Sequence, residues 1–225
     1  MKKIGILGGI GPEASIYFYS EIIRRLRERG AIHRNADYPQ IIITSINAPE
    51  LVSMEVTDEM LAPYVGGIKE LALLKPECII MACNTIHLFR DRLIKQSGYT
   101  NISDISLVVA TALEKSPGTI CVLGTAATVT SDLYALAGRD FSNPDENELK
   151  EIGEVVVSYN ATGEMAKNKE VLLRIAENHR NKGAGIFIAG CTEVSELLRG
   201  EKTITLIDTL ELLIEDTLHR VVDRT

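Results

Sequence analysis

Short apolar runs alternate along the chain with longer stretches in which apolar residues recur at helical spacing. Apolar runs of this length are typical of buried strands, and recurrence at i, i+3, i+4 and i+7 indicates amphipathic helices. Strands are predicted at 3–7, 38–46, 78–81, 120–123, 185–189 and 204–207, and a short extended piece begins at Ile102. Helices are predicted at about 12–30, 58–74 (with Asp58 as its cap), 84–96, 103–115, 129–137, 145–159, 164–182, 192–198 and 210–222. This alternation predicts βαβ units, parallel sheets and an α/β fold.

The chain contains a weak internal repeat. The segment IGILGG at 4–9 resembles ICVLGT at 120–125, and each precedes, by about 70 to 80 residues, an apolar strand that ends in a cysteine. The repeat predicts two similar lobes, each a mainly parallel sheet flanked by helices. They are expected to face each other across a cleft lined by the two cysteine segments.

Cys83 and Cys191 occupy equivalent positions, where a predicted strand ends and a predicted helix begins. Ligands of open α/β sheets bind at the carboxyl ends of the strands, and helix N-terminal N–H groups favour anions such as a thiolate, which is the reactive form. A single cysteine in an apolar α/β protein is more often packing than catalysis, but two cysteines in matching contexts favour a shared function.

A thiol on each wall of a cleft suits the inversion of a carbon that bears a proton. One thiolate removes the proton from one face, and the other thiol delivers a proton to the opposite face. The candidates to hold a substrate carboxylate and developing charge are Asn84, Thr85 and Thr192. Thr125 is a further candidate from the equivalent turn, and Glu193 is a candidate to orient Cys191 or a substrate ammonium group.

Composition narrows the classes of partner. The formal net charge of −7 argues against nucleic acid, and no apolar run approaches the ~20 residues of a membrane span. We see no signal peptide, so a reducing cytoplasm and free thiols are expected. Cys78 and Cys121 lie within predicted strands and are expected to be buried packing residues.

The first turn of the chain also carries a motif typical of dinucleotide binding. The pattern Gly9-x-Gly11-x-x-Ala14 matches the dinucleotide fingerprint. Pro12 removes a backbone donor from that turn, and the second strand ends without an acidic residue for a ribose, so NAD binding is disfavoured.

A metal site would combine Cys83, His87, Cys191 and Glu193. His87 would have to turn back to the strand end, which favours a helix-surface or supporting role instead. A serine nucleophile lacks a Gly-x-Ser-x-Gly motif, and no lysine stands in a context that marks it for Schiff-base chemistry.

Three motifs carry a resemblance to a known family: IGILGGIGP at 4–12, ACNTIH at 82–87 and AGCTEV at 189–194, with LID at 206–208. Over essentially the whole chain they resemble the aspartate/glutamate racemase family, and within it the aspartate racemases. The resemblance implies a two-lobed α/β enzyme, usually a homodimer, that needs neither pyridoxal phosphate nor another cofactor. It implies that Cys83 and Cys191 are the opposed acid and base. It also implies that the last strand and helix return to the first lobe, giving lobes of 1–97 with 206–225 and of 98–205, with linkers near Ser97 and Leu206.

Further residues are candidates for substrate binding. Ile10 and Asn47 are two of them. Aspartate racemases carry a lysine at a helix start after a proline, and Lys150 after Pro144 matches that spacing, which implies a contact with a side-chain carboxylate. The alternative is an exposed lysine that pairs with Glu146 at i−4.

The sequence departs from the family pattern in two places. The family's arginine after the second strand is absent from the 47–57 loop, since no Lys or Arg occurs between Arg34 and Lys69. Because charge-assisted carboxylate pairs are strong, their absence leaves a different amino acid or broad specificity open. The Gly8–Gly11 turn and Glu193 replace the Asp-Ser-Gly and His of cell-wall glutamate racemases, which disfavours a peptidoglycan role.

The sequence therefore predicts a cytoplasmic, cofactor-independent amino-acid racemase, an isomerase whose partners are a small amino acid and a second copy of itself. Nucleic acid and membrane are not expected partners. Two alternatives stay open: a related cysteine-dependent isomerase or decarboxylase of a small dicarboxylate, and a non-catalytic two-lobed amino-acid-binding protein.

Overall fold

The computed structural model describes residues 2–49, 51, 56–114, 116–135 and 138–222, which form an α/β fold as expected from the sequence. The strands are β1 (Ile4–Gly8), β2 (Ile41–Ser45), β3 (Cys78–Met81), β4 (Thr119–Leu123), β5 (Ala184–Ala189) and β6 (Leu206–Asp208). The α-helices are α1 (Pro12–Glu28), α2 (Asp58–Leu73), α3 (Arg90–Ser97), α4 (Ile105–Leu113), α5 (Ala126–Val129), α6 (Glu146–Thr162), α7 (Ala166–Asn181), α8 (Thr192–Leu198) and α9 (Thr209–Val221). Short 3-10 turns cover Asn35–Asp37 and Thr85–Phe89. None of the helices in these ranges is long and apolar enough to cross a bilayer.

Packing divides the chain into two units, which are described separately below. Unit 1 comprises Met1–Asp104 and Leu210–Thr225, and unit 2 comprises Ile105–Thr209.

The sheet of unit 1 is parallel, with strand order β2-β1-β3. Ile4 lies in register with Ile41 on one side and with Cys78 on the other, and Ile102 adds a single parallel bridge to Ile79 beyond β3. All residues of β1 and β3 are buried, because helices cover both faces of a parallel sheet in this class of fold. The core of unit 1 includes Leu7, Leu61, Tyr64, Ile68, Leu71, Ile79, Met81, Ile86 and Leu93.

The sheet of unit 2 is also parallel, with strand order β4-β5-β6. Leu123 pairs with Ala189, which in turn pairs with Asp208, and Phe141 adds a single parallel bridge to Ile120 beyond β4. The core of this unit includes Cys121, Leu123, Ile152, Val155, Leu172, Ile175, Phe187, Val194 and Leu197.

The chain passes between the two units twice. It leaves unit 1 after Asp104, and α4 then belongs to unit 2, whereas α9 follows β6 and belongs to unit 1. Arg25 of α1 forms ion pairs with Glu211 and Glu215 of α9, which attach that helix to unit 1. The two crossings replace the predicted linkers near Ser97 and Leu206.

Three local predictions were wrong. The last strand does not return to the first lobe, because β6 pairs with β5 and the Phe187 N–H donates to the Thr205 carbonyl (2.9 Å). The cap of α2 is Thr57, whose side chain accepts the Met60 N–H, and Asp58 is the first helical residue.

The predicted helix over 129–137 is the third of these. The helix observed there is α5, which ends at Val129. Ser131 accepts the Leu133 N–H (3.3 Å) and donates to the Thr128 carbonyl (2.7 Å), so side-chain hydrogen bonds form a turn in place of further helix. Residues 136–137 of that prediction, and residues 50 and 52–55 of the predicted 47–57 loop, lie outside the described residues.

Candidate active site

The first candidate cysteine lies at the carboxyl end of β3. Met81 is in register with Leu7, and the Ala82 N–H still donates to the Leu7 carbonyl (3.1 Å). Cys83 is the next residue and is partly exposed. The corner therefore begins where the pairing of β1 with β3 ends.

A 3-10 turn, and not the predicted α-helix, follows Cys83. It covers Thr85–Phe89, and the Asn84 carbonyl accepts the His87 N–H (3.0 Å). Asn84 and Thr85, which follow Cys83 in the sequence, are both buried. The regular helix α3 begins only at Arg90.

His87 is buried and anchors this turn. Burial lowers the pKa of its imidazole to about 4, and a hydrogen bond with the Met81 backbone opposes that shift. The ring is therefore neutral near pH 7 and ties the turn to the end of β3. Of the two roles that we expected, the supporting one fits and the helix-surface one is wrong. The described part of the chain contains no group of three His, Cys, Asp or Glu side chains placed to hold a metal ion.

The second candidate cysteine lies at the carboxyl end of β5 in the same way. Leu123 is in register with Ala189, and the Gly190 N–H donates to the Leu123 carbonyl (2.7 Å). Cys191 follows as the N-cap residue of α8 and is 7% exposed. A Cβ atom on Gly124 would lie 2.9 Å from the Gly190 oxygen, so glycine at 124 permits the close approach of the two strand ends.

Glu193 holds the thiol of this corner. The Cys191 Sγ donates to Glu193 Oε2 (2.7 Å), and the Thr192 hydroxyl donates to the same oxygen (2.8 Å). The Asn160 amide of α6 donates to the other oxygen, Oε1 (3.1 Å). Both carboxylate oxygens thus accept hydrogen bonds, and the Cys191 thiol lies beside a buried carboxylate.

The other two thiols are packing residues, as predicted. Cys78 and Cys121 are fully buried within β3 and β4. Burial raises the pKa of each thiol to about 12. All four cysteines are free.

The other two candidate substrate-binding residues of unit 1 follow the ends of the strands β1 and β2. Ile10 is half-buried after β1, and Asn47 is exposed after β2. The Ile46 N–H donates to the Gly8 carbonyl (3.0 Å), which keeps these two chain segments together. Because β1, β2 and β3 are parallel, the sheet brings both residues to the same edge as Cys83.

The glycine pattern of the first turn has a packing explanation. Gly9 has a φ of 84°, and a Cβ atom there would lie 2.3 Å from the Ile46 oxygen. Gly11 has a φ of 86° and precedes Pro12, which is at the start of α1 as its fixed φ favours. The close approach of the β2 end therefore accounts for Gly9 without a bound phosphate.

The two remaining predicted residues of unit 2 lie in different places. Thr125 lies at the same sheet edge as Cys191, whereas Lys150 lies within a helix. Thr125 is half-buried after β4 and donates its hydroxyl to that of Thr128 (3.2 Å). Lys150 is exposed on α6, and within the described residues it forms no ion pair with Glu146. Sequence reasoning missed Asn160, since it lies 33 residues from Glu193 and only the packing of α6 brings them together.

Residues 7–217 match the family model described as Asp/Glu/hydantoin racemase. The broad-specificity amino-acid racemase RacX of Bacillus subtilis is 23% identical over 221 residues, which cover 96% of each chain. An aspartate racemase homologue from Pyrococcus horikoshii has a similar structure, with a TM-score of 0.76, 29% identity and coverage of 97% of this chain and 98% of that chain. Picrophilus torridus aspartate racemase has the same fold, with a TM-score of 0.76, 23% identity and coverage of 96% and 93%.

Proposed function

The chain belongs to the Asp/Glu/hydantoin racemase family, and we propose that it inverts the α-carbon of an amino acid with two cysteines and no cofactor. In this mechanism the thiolate of one cysteine removes the Cα proton, and the thiol of the other returns a proton to the opposite face. The roles exchange when the other enantiomer is the substrate. The bases are Cys83 and Cys191.

One observation carries the proposal. In each unit a reactive-type cysteine stands two residues beyond the last paired residue of a buried parallel strand, after Met81 in unit 1 and after Ala189 in unit 2. Such strand ends are where open α/β sheets bind ligands. The two other cysteines are fully buried and lie within strands, so the strand-end pair is distinct from the packing pair.

The substrate α-carboxylate is proposed to bind backbone N–H groups and side chains at the starts of the turns that follow the cysteines. The residues proposed for this are Asn84, Thr85 and Thr192, with Thr125 from the equivalent turn. Hydrogen-bond donors placed where charge develops stabilise the carbanion-like transition state. The name of the RacX relative, a broad-specificity enzyme, supports a substrate range wider than aspartate and glutamate.

Proton exchange in deuterated water tests the proposal. The protein is incubated with single enantiomers of a panel of amino acids. We expect the α-proton to exchange and the optical rotation to fall towards zero from either enantiomer. Cys83→Ser and Cys191→Ser should each lower the racemisation rate by about 10²–10⁴-fold, the usual contribution of a positioned acid or base.

Variants that keep only one of the two thiols distinguish the roles of Cys83 and Cys191. A variant with one remaining thiol should still exchange the α-proton of one enantiomer without inverting it, and the two variants should do so for opposite enantiomers. Cys78→Ala and Cys121→Ala are the matched controls, and both should still racemise. Full racemisation in either serine variant would contradict the proposal. A covalent thiol adduct or loss of CO₂ would favour the isomerase or decarboxylase alternative, and binding without exchange would favour the binding protein.

The homodimer and the cytoplasmic location stay predictions from the sequence. Sedimentation equilibrium of the purified chain measures the first, and fractionation of cells that express it measures the second.

A further inference from the structure

We propose that the side chain of the substrate carries no negative charge, so that aspartate and glutamate are poor substrates; this inference rests on the proposed racemase function. It starts from the loops that follow the strands, because ligands of parallel sheets bind there. A side-chain carboxylate bound in such a place needs a cation or several donors to replace its hydration.

No Lys or Arg occurs in the loops directly after the strands. In unit 1 the described residues of these loops are 9–11, 46–49, 51, 56–57, 82–84 and 103–104. In unit 2 they are 124–125, 142–145 and 190–191, and α9 follows β6 directly. The same loops, with α8 and the end of β6, carry carboxylates at Asp104, Asp145, Glu193 and Asp208.

The arginines nearest to these loops in sequence are held by other groups. Arg90, one turn beyond the Cys83 corner, donates to the carbonyls of Ile102 (3.0 Å) and Ser103 (3.2 Å). Its guanidinium also lies 3.6 Å from the carboxylate of Asp104. Two of its donor atoms are therefore engaged by the main chain of unit 1, and part of its charge is balanced by Asp104.

Arg139 is held at the opposite edge of the unit 2 sheet. It donates to the carbonyls of Leu113 (3.0 Å), Ser116 (2.6 Å) and Gly118 (2.9 Å). Gly118 directly precedes β4, so this guanidinium lies at the amino-terminal ends of the strands and not at the carboxyl ends.

Lys150 lies on the outer face of α6. Ile152 and Val155 of the same helix are buried in the core of unit 2, and Lys150 is roughly 200° around the helix from Ile152 at 3.6 residues per turn. It is exposed and lies within α6, so it is not part of the loops that follow the strands.

The carboxylate of Glu193 adds a penalty for an acidic side chain. It is buried beside Cys191 and already accepts hydrogen bonds from Cys191, Thr192 and Asn160. The α-carboxylate is common to all amino acids and does not affect the comparison, but a second carboxylate at this corner would add a like charge beside Glu193, where little water screens it. An amide, hydroxyl, apolar or cationic side chain meets no such penalty.

Two pairs of nearly isosteric amino acids test the proposal. The kcat/KM values for α-proton exchange are compared between glutamine and glutamate and between asparagine and aspartate. We expect each amide to exceed its acid by about tenfold or more, since a missing charge partner changes specificity by at least that much. Equal or faster exchange of either acid would overturn the proposal and leave the racemase function standing.

Two further measurements keep the test decisive. Calorimetric titration of the same four amino acids into the unmodified protein gives the ratio of affinities without turnover. Tighter binding of the acids would overturn the proposal even for a protein that fails to racemise, and absence of exchange with tighter binding of the amides would overturn only the racemase function. In Lys150→Gln the ratio of glutamine to glutamate should stay as in the parent, and a selective loss of glutamate turnover would assign the carboxylate contact to Lys150 and contradict the inference.

Discussion

The two cysteine corners share a backbone and differ in chemistry. In unit 1 the Ala82 N–H bonds the Leu7 carbonyl, and in unit 2 the Gly190 N–H bonds the Leu123 carbonyl. In both units the cysteine is the next residue. The strand pairing therefore places a thiol at the same point of each sheet, whatever side chains surround it.

The likeness extends across each sheet. Unit 1 has a single extra bridge at Ile102 beyond β3, where unit 2 has the strand β6 beyond β5. Unit 2 has a single extra bridge at Phe141 beyond β4, where unit 1 has β2 beyond β1. The repeat that the sequence shows only faintly is thus visible in the strand order of the two sheets, although a 3-10 turn follows Cys83 and an α-helix follows Cys191.

The side chains after the cysteines break the repeat. Thr85 stands two residues after Cys83, where Glu193 stands two residues after Cys191. In the second corner the carboxylate of Glu193 is hydrogen-bonded to the thiol. The difference teaches that a repeated strand pairing is compatible with different surroundings of the two thiols, with a buried carboxylate beside Cys191.

Removal of the Glu193 charge is the strongest way to break this comparison. In Glu193→Gln the Cys191 thiol loses a charge-assisted acceptor, which is roughly twice as strong as a neutral one. We expect kcat/KM for racemisation to fall by about a hundredfold. The fall should be equal for both enantiomers, because their equal free energies fix the ratio of the two kcat/KM values at one. The rate of Cys191 alkylation relative to that of Cys83, measured by mass spectrometry, should change as well.

Glu196→Gln is the matched control for this variant. Glu196 lies on the same helix and accepts a hydrogen bond from the Tyr159 hydroxyl (2.6 Å), whereas the Cys191 thiol donates to Glu193. Its replacement should change neither the racemisation rate nor the alkylation ratio by more than about twofold. Equal effects of the two variants would show that Glu193 has no special role.

The strands and the corners were predictable from the sequence because their signals are local. A buried parallel strand is a continuous apolar run, and a cysteine directly after it marks the strand end. What escaped prediction depends on contacts between distant segments. β6 pairs with the edge of β5, a strand that ends 17 residues earlier in the chain. The contact of Asn160 with Glu193 depends on the packing of α6 against α8.

Local signals also failed where a side chain competed with the backbone. Apolar residues at helical spacing favoured a helix after Val129, but the hydroxyl of Ser131 bonds to the nearby main chain and forms a turn there. His87 was expected to turn away from the strand, and its burial depends on a tight 3-10 turn that periodicity does not reveal.

The two corners should also differ in their stability to acid. His87 stands four residues after Cys83, and the equivalent position after Cys191 is Ser195, which does not titrate in this range. The pKa of His87 is about 4 in the folded protein, against 6.5 for a histidine in water. A lowered pKa means that the unfolded chain binds the proton first, so this contribution is complete above pH 6.5 and falls as the pH drops towards 4. Between pH 7 and pH 5 we expect unit 1 to lose about 2 kcal/mol.

Hydrogen exchange followed by mass spectrometry measures this loss separately in peptides of each unit. His87→Asn, which retains an N–H donor, should remove most of the difference between the two pH values, and His33→Asn at an exposed position should not. Unit 2 should change little at pH 5. The pKa of its buried carboxyl, Glu148, is lowered by hydrogen bonds from His179 and Asn178 in spite of burial, so the loss from this group begins as the pH falls through the ordinary carboxyl value of 4.5 and continues below it. An equal loss in both units would contradict the assignment to His87.

The smallest expected effect comes from Asn160, which sharpens the comparison because it acts through Glu193. The Asn160 amide fixes one carboxylate oxygen so that the other meets the thiol. In Asn160→Ala this orientation is lost while the charge stays, and we expect kcat to fall by about tenfold, the equivalent of one ordinary hydrogen bond. KM should change by less than twofold, because the amide is proposed to contact Glu193 and not the substrate.

Asn178→Ala is the control for Asn160→Ala, since it removes a similar amide bond, to Glu148 (3.2 Å), elsewhere in unit 2. Alkylation distinguishes positioning from damage to the fold. A displaced Glu193 should alter the reactivity of Cys191 alone, whereas a loosened unit 2 would also expose the buried Cys121. If Cys121 becomes reactive together with Cys191, the effect of Asn160 on the thiol is structural and the proposed positioning role is wrong.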